Sequence, residues 1–205
     1  MIRKVPFILR LTIAEYKQLI SKKPWNKKWS SKDPEIVNIK AKIRSQLVAN
    51  QLHCAYCGLP FKGDKDKQIE HIAPKANYRQ PEFTFTLKNL VLSCVYCNTL
   101  IVKGSKETVR APADRSYEKC TFLIVHPYLD DPDLHYDWTD QDDKILIQVK
   151  NGSEKGQKSI EMFELDSEGK SEMRAGIAAI AKIKASKPIN AVDETLVTQT
   201  QNYHP

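Results

Sequence analysis

The chain has 205 residues, 41% hydrophobic and 28% charged, with 32 Lys and Arg against 25 Asp and Glu for a net charge of +7. That length suits one domain with appendages and can bury a core unaided. No apolar run approaches the roughly 18 to 20 residues of a membrane span, and Arg3, Lys4 and Arg10 interrupt the start too early for a secretory signal core, so cytoplasm is the default expectation.

The charge is split between the halves. Residues 1–110 carry 21 basic and 8 acidic side chains (+13), and residues 111–205 carry 11 and 17 (−6). A basic front half is a footprint for a polyanion, and the acidic back half suggests a different use.

Thr12-Ile-Ala-Glu15 has the capping-box form and predicts a helix to about residue 20. A basic loop with Trp25 and Trp29 follows, and its indoles suit either stacking on bases or packing against the next helix. Pro34 opens a second helix in which Ile36, Ile39, Ile43 and Leu47 recur at helical spacing. Lys40, Lys42 and Arg44 fall on its opposite face, either solvated or laid along a nucleic-acid backbone.

From residue 52 the pattern becomes short and knuckled. Cys54-Ala-Tyr-Cys57 and Cys94-Val-Tyr-Cys97 are two CxxC pairs, enough to complete a tetrahedral Cys₄ site for Zn²⁺ at about 2.3 Å per sulfur. Four of five cysteines so arranged fit a metal site better than a disulfide framework. The fifth, Cys120, reads as a buried small hydrophobe on a strand. Between the pairs, 68–72 alternates as a strand that Pro74 ends, 76–88 is a polar loop, and Leu90-Val91-Leu92 is a second short strand. A helix is expected to start near Cys94 and carry Asn98.

Further on, 104–119 reads as a loop, and 120–125 and 144–149 as strands. Asp130, Asp131 and Asp133 form a Pro-bounded acidic turn without EF-hand spacing. Asn151-Gly152 predicts a hairpin into a strand at 159–163. After Asp166 a helix with Met173, Ile177, Ile180 and Ile183 on one face runs to about residue 185, and a polar tail begins at 187. The expected divisions are a basic helical segment (1–50), a zinc-knuckle core (51–110), a strand-rich accessory region ending in a helix (111–186) and the tail (187–205).

Two CxxC pairs alone describe a zinc ribbon that staples a loop. A closed Cys₄ site leaves zinc no open position, so any chemistry belongs to the residues between and beside the pairs. Hydrolysing a phosphodiester needs an activated water, a base and a cation at the leaving oxygen. Glu70 and Asn98 offer hard oxygen ligands for Mg²⁺ or Mn²⁺, and a neutral His71 imidazole suits a general base. Successive strand residues face opposite ways, so Glu70 and His71 need a bend near Pro74 to reach one phosphate. Asn89 stands at the far end of the loop that leaves His71, placed to hold that loop. Lys40, Lys42, Lys75, Lys88 and Lys103 are candidate contacts to the nucleic-acid backbone.

Glu70-His71, Asn89-Leu90 and Cys97-Asn98, with CxxC before and after, resemble the HNH endonuclease motif in its zinc-stapled ββα-metal form. The resemblance implies an α+β fold: a ββα-metal (His-Me finger) core with a structural Cys₄ zinc, N-terminal helices on one flank and a small C-terminal sheet plus helix on the other. It implies His71 as general base, Glu70 as metal ligand in the place usually held by Asp, Asn89 as loop-orienting residue and Asn98 as second metal ligand. The stretches 69–75, 89–94, 123–132 and 159–165, with Arg174, are similar to the PtuB-like HNH subunits of Septu-type and retron-associated anti-phage systems. There the nuclease works beside an ABC-type ATPase. This chain has no P-loop, so nucleotide-driven control is expected in a partner.

Two departures stand out. The usual Cys-Asn-x-x-Lys-Gly becomes Cys97-Asn-Thr-Leu-Ile-Val-Lys103-Gly104, and His126 stands where the related proteins often have Asn. The expected function is a metal-dependent endonuclease acting on nucleic acid, DNA before RNA, as the effector of a prokaryotic defence system. The alternatives are a non-catalytic zinc-stapled nucleic-acid-binding module, or an adaptor docking through the acidic half. A binding module needs neither an acidic residue and His on the strand nor Asn after the fourth Cys.

Overall fold

The computed structural model describes residues 1–21, 24–111, 113, 114, 116–141 and 143–186; the polar tail expected from 187 lies outside the described residues. Helix α1 (Ile13–Ile20) opens with the capping box its sequence predicts, the Glu15 amide donating to Thr12 Oγ1 at 3.2 Å and the Thr12 amide to Glu15 Oε2 at 2.7 Å. The short α2 (Trp25–Trp29) packs both indoles against the cluster of Leu19, Ile36, Ile43 and Phe85, which decides for packing over stacking on bases.

Helix α3 (Pro34–Asn50) starts under an Asp33 cap and buries Ile36, Ile39, Ile43 and Leu47, the face its periodicity predicts. Burying aliphatic side chains of this size contributes about 2 kcal/mol each. Its basic face is tied down: Lys42 pairs with Glu15 at 2.8 Å, Arg44 donates to the Lys67 carbonyl at 2.7 Å, and Lys40 donates to the Trp29 carbonyl at 2.7 Å.

The next two strands, β1 (Gln68–His71) and β2 (Leu90–Ser93), pair antiparallel with His71 opposite Leu90 and Glu70 opposite Val91. Gln51, at the end of α3, extends the ladder with its side chain, accepting from the Leu92 amide at 2.9 Å and donating to the Leu92 carbonyl. A second hairpin joins β3 (Tyr136–Gln141) to β4 (Lys144–Val149), followed by α4 (Glu154–Phe163) and α5 (Glu168–Ser186). One buried cluster runs from Ile2 and Tyr56 through Val91 and Ile124 to Phe163, and the Tyr56 and Phe163 rings stack at 4.1 Å. The acidic half therefore shares its core with the first cysteine knuckle.

Four local expectations are corrected. Residues 120–125 are not a strand: one bridge joins Val109 to Phe122, after which the Val125 amide is taken by Ser159 Oγ and the His126 amide by Asp130, so no ladder can continue. Cys120 is buried as expected, but off any strand. Asn151 and Gly152 do turn, both with positive φ, yet they deliver the chain into α4 rather than a strand at 159–163. Helix α5 buries Lys170, Ser171 and Arg174 most deeply; of the predicted apolar face Ile177 packs against the core and Ile180 is half-buried, while Met173 and Ile183 are exposed. Residues 95–104 form successive turns where a helix carrying Asn98 was expected. The Asn98 amide reaches the Cys94 carbonyl, and then the Gly104 amide closes a wider loop onto Thr99 at 2.9 Å. Gly104 has φ +46°, and a Cβ there would lie 2.7 Å from the Leu100 carbonyl oxygen.

Candidate metal knuckle and active site

Both cysteine pairs sit on tight turns fixed by the backbone. In the first, the Gly58 amide donates to the Cys54 carbonyl at 3.0 Å, with Gly58 at φ +70° beneath the Ile2 backbone. A Cβ on Gly58 would come within 2.8 Å of Ile2 Cα, so both the turn and the close approach require glycine. In the second, the Cys97 amide points at Cys94 Sγ. The turns bring the four sulfurs within 4.8 Å of one another, with Cys57 and Cys94 Sγ 3.9 Å apart. Sulfurs about 2.3 Å from a common ion and tetrahedrally disposed are about 3.8 Å from each other, so Cys54, Cys57, Cys94 and Cys97 fit a closed structural zinc site. All five cysteines are free thiols, so no disulfide competes for these sulfurs.

His71 is the last residue of β1, and there the opposite-face problem disappears: Glu70 and His71 line one cavity of about 150 Å³ with Asn26, Lys75, Gly104 and Ser105. Trp29 packs edge-on to the imidazole at 4.5 Å between ring centres. Nε2 lies 3.1 Å from the Thr84 carbonyl oxygen, which can only accept, so Nε2 carries the proton and Nδ1 keeps its lone pair. Nδ1 has no hydrogen-bond partner among the described residues. Burial, with help from Lys75 and Lys103, pushes the imidazole's pKa down to about 3 and holds it neutral.

Asn89 is fully buried and clamps both ends of the 72–89 loop. Its Oδ1 accepts from the Ala73 amide at 2.6 Å, and its Nδ2 donates to the carbonyls of Ala73 and Phe83 at 3.0 and 2.9 Å. Behind it runs a chain of side chains that the sequence reading left without a role. His126 Nδ1 accepts from the Tyr128 and Leu129 amides, so Nε2 is the protonated nitrogen and donates to Tyr117 Oη at 2.9 Å. Tyr117 in turn donates to Asn89 Oδ1 at 3.0 Å. The only signal for His126 in the sequence was its departure from the usual Asn.

The remaining expected residues divide. Lys103 is fully buried, its ammonium on Glu70 Oε1 and 2.7 Å from the His71 carbonyl oxygen. This corrects its expected backbone-phosphate role, since a lysine with no exposed surface cannot reach a passing strand. Asn98, held on the 95–104 turns, is not among the residues lining the cavity, so the structure does not join it to Glu70. The two extra residues between Asn98 and Lys103 are spent on those turns. Among the other lysines, Lys88 pairs with Glu118 at 2.7 Å, and Lys40 and Lys42 hold the partners given above. Lys75 lines the cavity with no carboxylate partner among the described residues. The only group of three or more His, Cys, Asp or Glu side chains placed to hold a metal, among the described residues, is the cysteine cluster. Glu70 brings the one carboxylate to the cavity among the described residues, and Asn26, whose Oδ1 is buried without a hydrogen-bond partner, lines it too.

Both cysteine pairs, Glu70, His71 and Asn89 lie within residues 54–102, which match the HNH endonuclease family model; this segment is an HNH domain. Over 148 residues the chain is 28% identical to the Septu protein PtuB of Bacillus mycoides (strain KBAB4). That match covers 64% of this chain and 48% of that protein, so the chain spans about half the length of the curated relative it matches. No described helix is long and apolar enough to cross a membrane.

Proposed function

We propose that the chain is an HNH endonuclease that hydrolyses a phosphodiester of nucleic acid, DNA before RNA, with His71 as general base. The observation that carries this is the His71 imidazole itself: neutral, its Nε2–H tied to the Thr84 carbonyl and its Nδ1 unpartnered, in one cavity with the Glu70 carboxylate. Nδ1 takes a proton from a water poised against the phosphorus, and the Thr84 carbonyl steadies the imidazolium that forms. Asn89 keeps the loop behind His71 from shifting while the proton moves. Lys75 supplies positive charge at the mouth for the phosphate's non-bridging oxygens. Glu70 would hold a Mg²⁺ or Mn²⁺ ion, which would supply stabilisation of charge on the leaving oxygen. The four cysteines hold zinc and take no part in the step.

The likeness to a Septu protein supports a place in anti-phage defence. An ABC-type ATPase as the controlling partner is carried over from the resemblance noted in the sequence. A plasmid-nicking assay with added Mg²⁺ or Mn²⁺, with and without co-purified partner, tests the activity. The His71→Ala protein is expected to lose about 10² to 10⁴ in rate while keeping its zinc and its affinity for nucleic acid. Full activity in that variant would remove His71 from the mechanism. Binding without cleavage by the wild type under every metal condition would favour a non-catalytic zinc-stapled module.

A further inference from the structure

A second cavity, of about 390 Å³, opens where the N-terminal segment, the first cysteine knuckle and α5 meet. Arg3, Lys4, His53 and Arg174 line it and no Asp or Glu does. Among the described residues none of Arg3, Lys4 and Arg174 makes a salt bridge, in a chain whose charged surface groups are otherwise widely paired. Arg174 is the telling residue. It is 3% exposed, its Nη2 donates to the Leu165 carbonyl at 2.7 Å, and its Nε and Nη1 are buried without any acceptor.

A guanidinium out of water with two of its three nitrogens unsatisfied is costly, because each buried charged donor gives up its hydration with no hydrogen bond in return. Trp138, under the guanidinium at 5.2 Å, relieves part of the charge but accepts no hydrogen bond in the plane of the fork. An oxyanion in the cavity would offset the uncompensated charge, and a guanidinium is matched to phosphate. The cavity also exceeds what one phosphate fills. It lies within the roughly 300 to 1,000 Å³ typical of small-ligand sites, and Leu59, Pro60 and Ile177 add an apolar wall.

We propose that this cavity binds a nucleoside phosphate, its phosphate on Arg174, Arg3 and Lys4 and its base against Leu59, Pro60 and Ile177. The ligand is either a free nucleotide or the phosphorylated end of a nucleic-acid strand, which share this chemistry. The site is separate from the Glu70–His71 cavity and does not depend on the nuclease reading, since none of its lining residues takes part in that chemistry. Because it rests on the cysteine knuckle and on α5 together, occupancy would brace the acidic half against the core.

The test uses zinc-loaded, full-length protein carrying His71→Ala, so that no probe is cut, with calorimetry and thermal melting as readouts. The probes are inorganic phosphate, AMP, and one short single-stranded oligonucleotide with and without a 5′-phosphate. Binding and a raised melting temperature are expected with AMP, with the phosphorylated oligonucleotide, or with both. AMP binding points to a free nucleotide, and a preference of at least tenfold for the 5′-phosphorylated strand points to a strand end. Arg3→Ala with Lys4→Ala on the exposed rim, and Arg174→Lys inside, should each weaken that binding at least tenfold. The rim variant keeps the test valid if the buried substitution disturbs folding. The proposal is overturned if neither AMP nor the phosphorylated strand binds at millimolar concentration, if inorganic phosphate alone binds, or if binding is indifferent to the rim substitutions.

Discussion

At the scale of single residues, two buried groups stand out, one inside and one just behind the Glu70–His71 cavity. Lys103 and Glu70 form an ion pair with almost no exposed surface, the lysine also bound to the His71 carbonyl oxygen. Removing one partner of such a pair typically costs about 3 to 5 kcal/mol, because the other charge is left alone in a dry place. Lys103 therefore fixes both Glu70 and His71 from behind. The other group is His126, fully buried, with its pKa pushed down to about 3 chiefly by burial, against the opposing pull of Asp130. An unfolded chain would protonate this histidine near its ordinary value of about 6.5. Between those two values the unfolded state binds more protons than the folded one, so stability is retained above pH 6.5 and falls as the pH drops toward 3. The prediction is that His126→Asn flattens the decline of stability between pH 6.5 and 4, measured by urea denaturation at each pH. A decline identical in slope to the wild type would exclude His126 as a contributor.

At the scale of elements, the two knuckles meet at four cysteine sulfurs placed to share one metal ion, and the proposed zinc would hold them together. Little regular structure surrounds them: a four-residue strand on either side of a long loop, and turns from 95 to 104. Structural zinc can contribute on the order of 10 kcal/mol of apparent binding free energy coupled to folding. Cys94→Ser, or dialysis against strong chelator, is expected to lower the melting temperature sharply and to expose Tyr56 and Phe163 together, since they stack across the knuckle. Elemental analysis finding no zinc in reduced protein prepared without chelator, or unchanged melting of the serine variant, would contradict this. The elements also show what the sequence displays and what it hides. The capping box of α1, the apolar stripe of α3 and the register-setting residues of β1 and β2 are legible because side chain and backbone there agree. Helix α4 is hidden because its buried face includes Gly156 and Ser159, which carry no hydrophobic signal: Gly156 packs under the His135 carbonyl, and Ser159 spends its hydroxyl on the Val125 amide. Strand β3 is hidden because only Tyr136 and Trp138 mark its inward face, which continues into the exposed Asp140, while the other face is polar throughout. Lys103 could not be placed from sequence, since a long cationic chain reads as surface until the turns that fold it inward are known.

At the scale of the whole molecule, the opposite charges of the two halves remain to be used. The acidic half is joined to the basic half by a common buried cluster, so its surface charge is not needed to attach it. Asp140 is 64% exposed on its side chain, and its one ion pair, to Lys182 at 3.7 Å, is too open to add much stability. Such a surface suits a docking partner better than a polyanion. On the proposed function, charge reversal at Asp140 and Asp143 is expected to abolish co-purification of the proposed partner while leaving cleavage by the isolated protein as it was. Undiminished partner recovery would assign the acidic half to completing the fold alone.

The placement of the tryptophans makes the molecule its own optical instrument. The chain has three. Trp29 lies edge-on to the His71 ring and Trp138 beneath the Arg174 guanidinium, so one indole packs against a lining residue of each of the two cavities. Indole emission responds to the charge and mobility of its immediate neighbours. With Trp138 replaced by Phe, strand entry at the cleavage cavity can be followed through Trp29; with Trp29 replaced by Phe, filling of the second cavity can be followed through Trp138. The order in which two ligands arrive could then be timed in one stopped-flow experiment, with no dye attached to the protein.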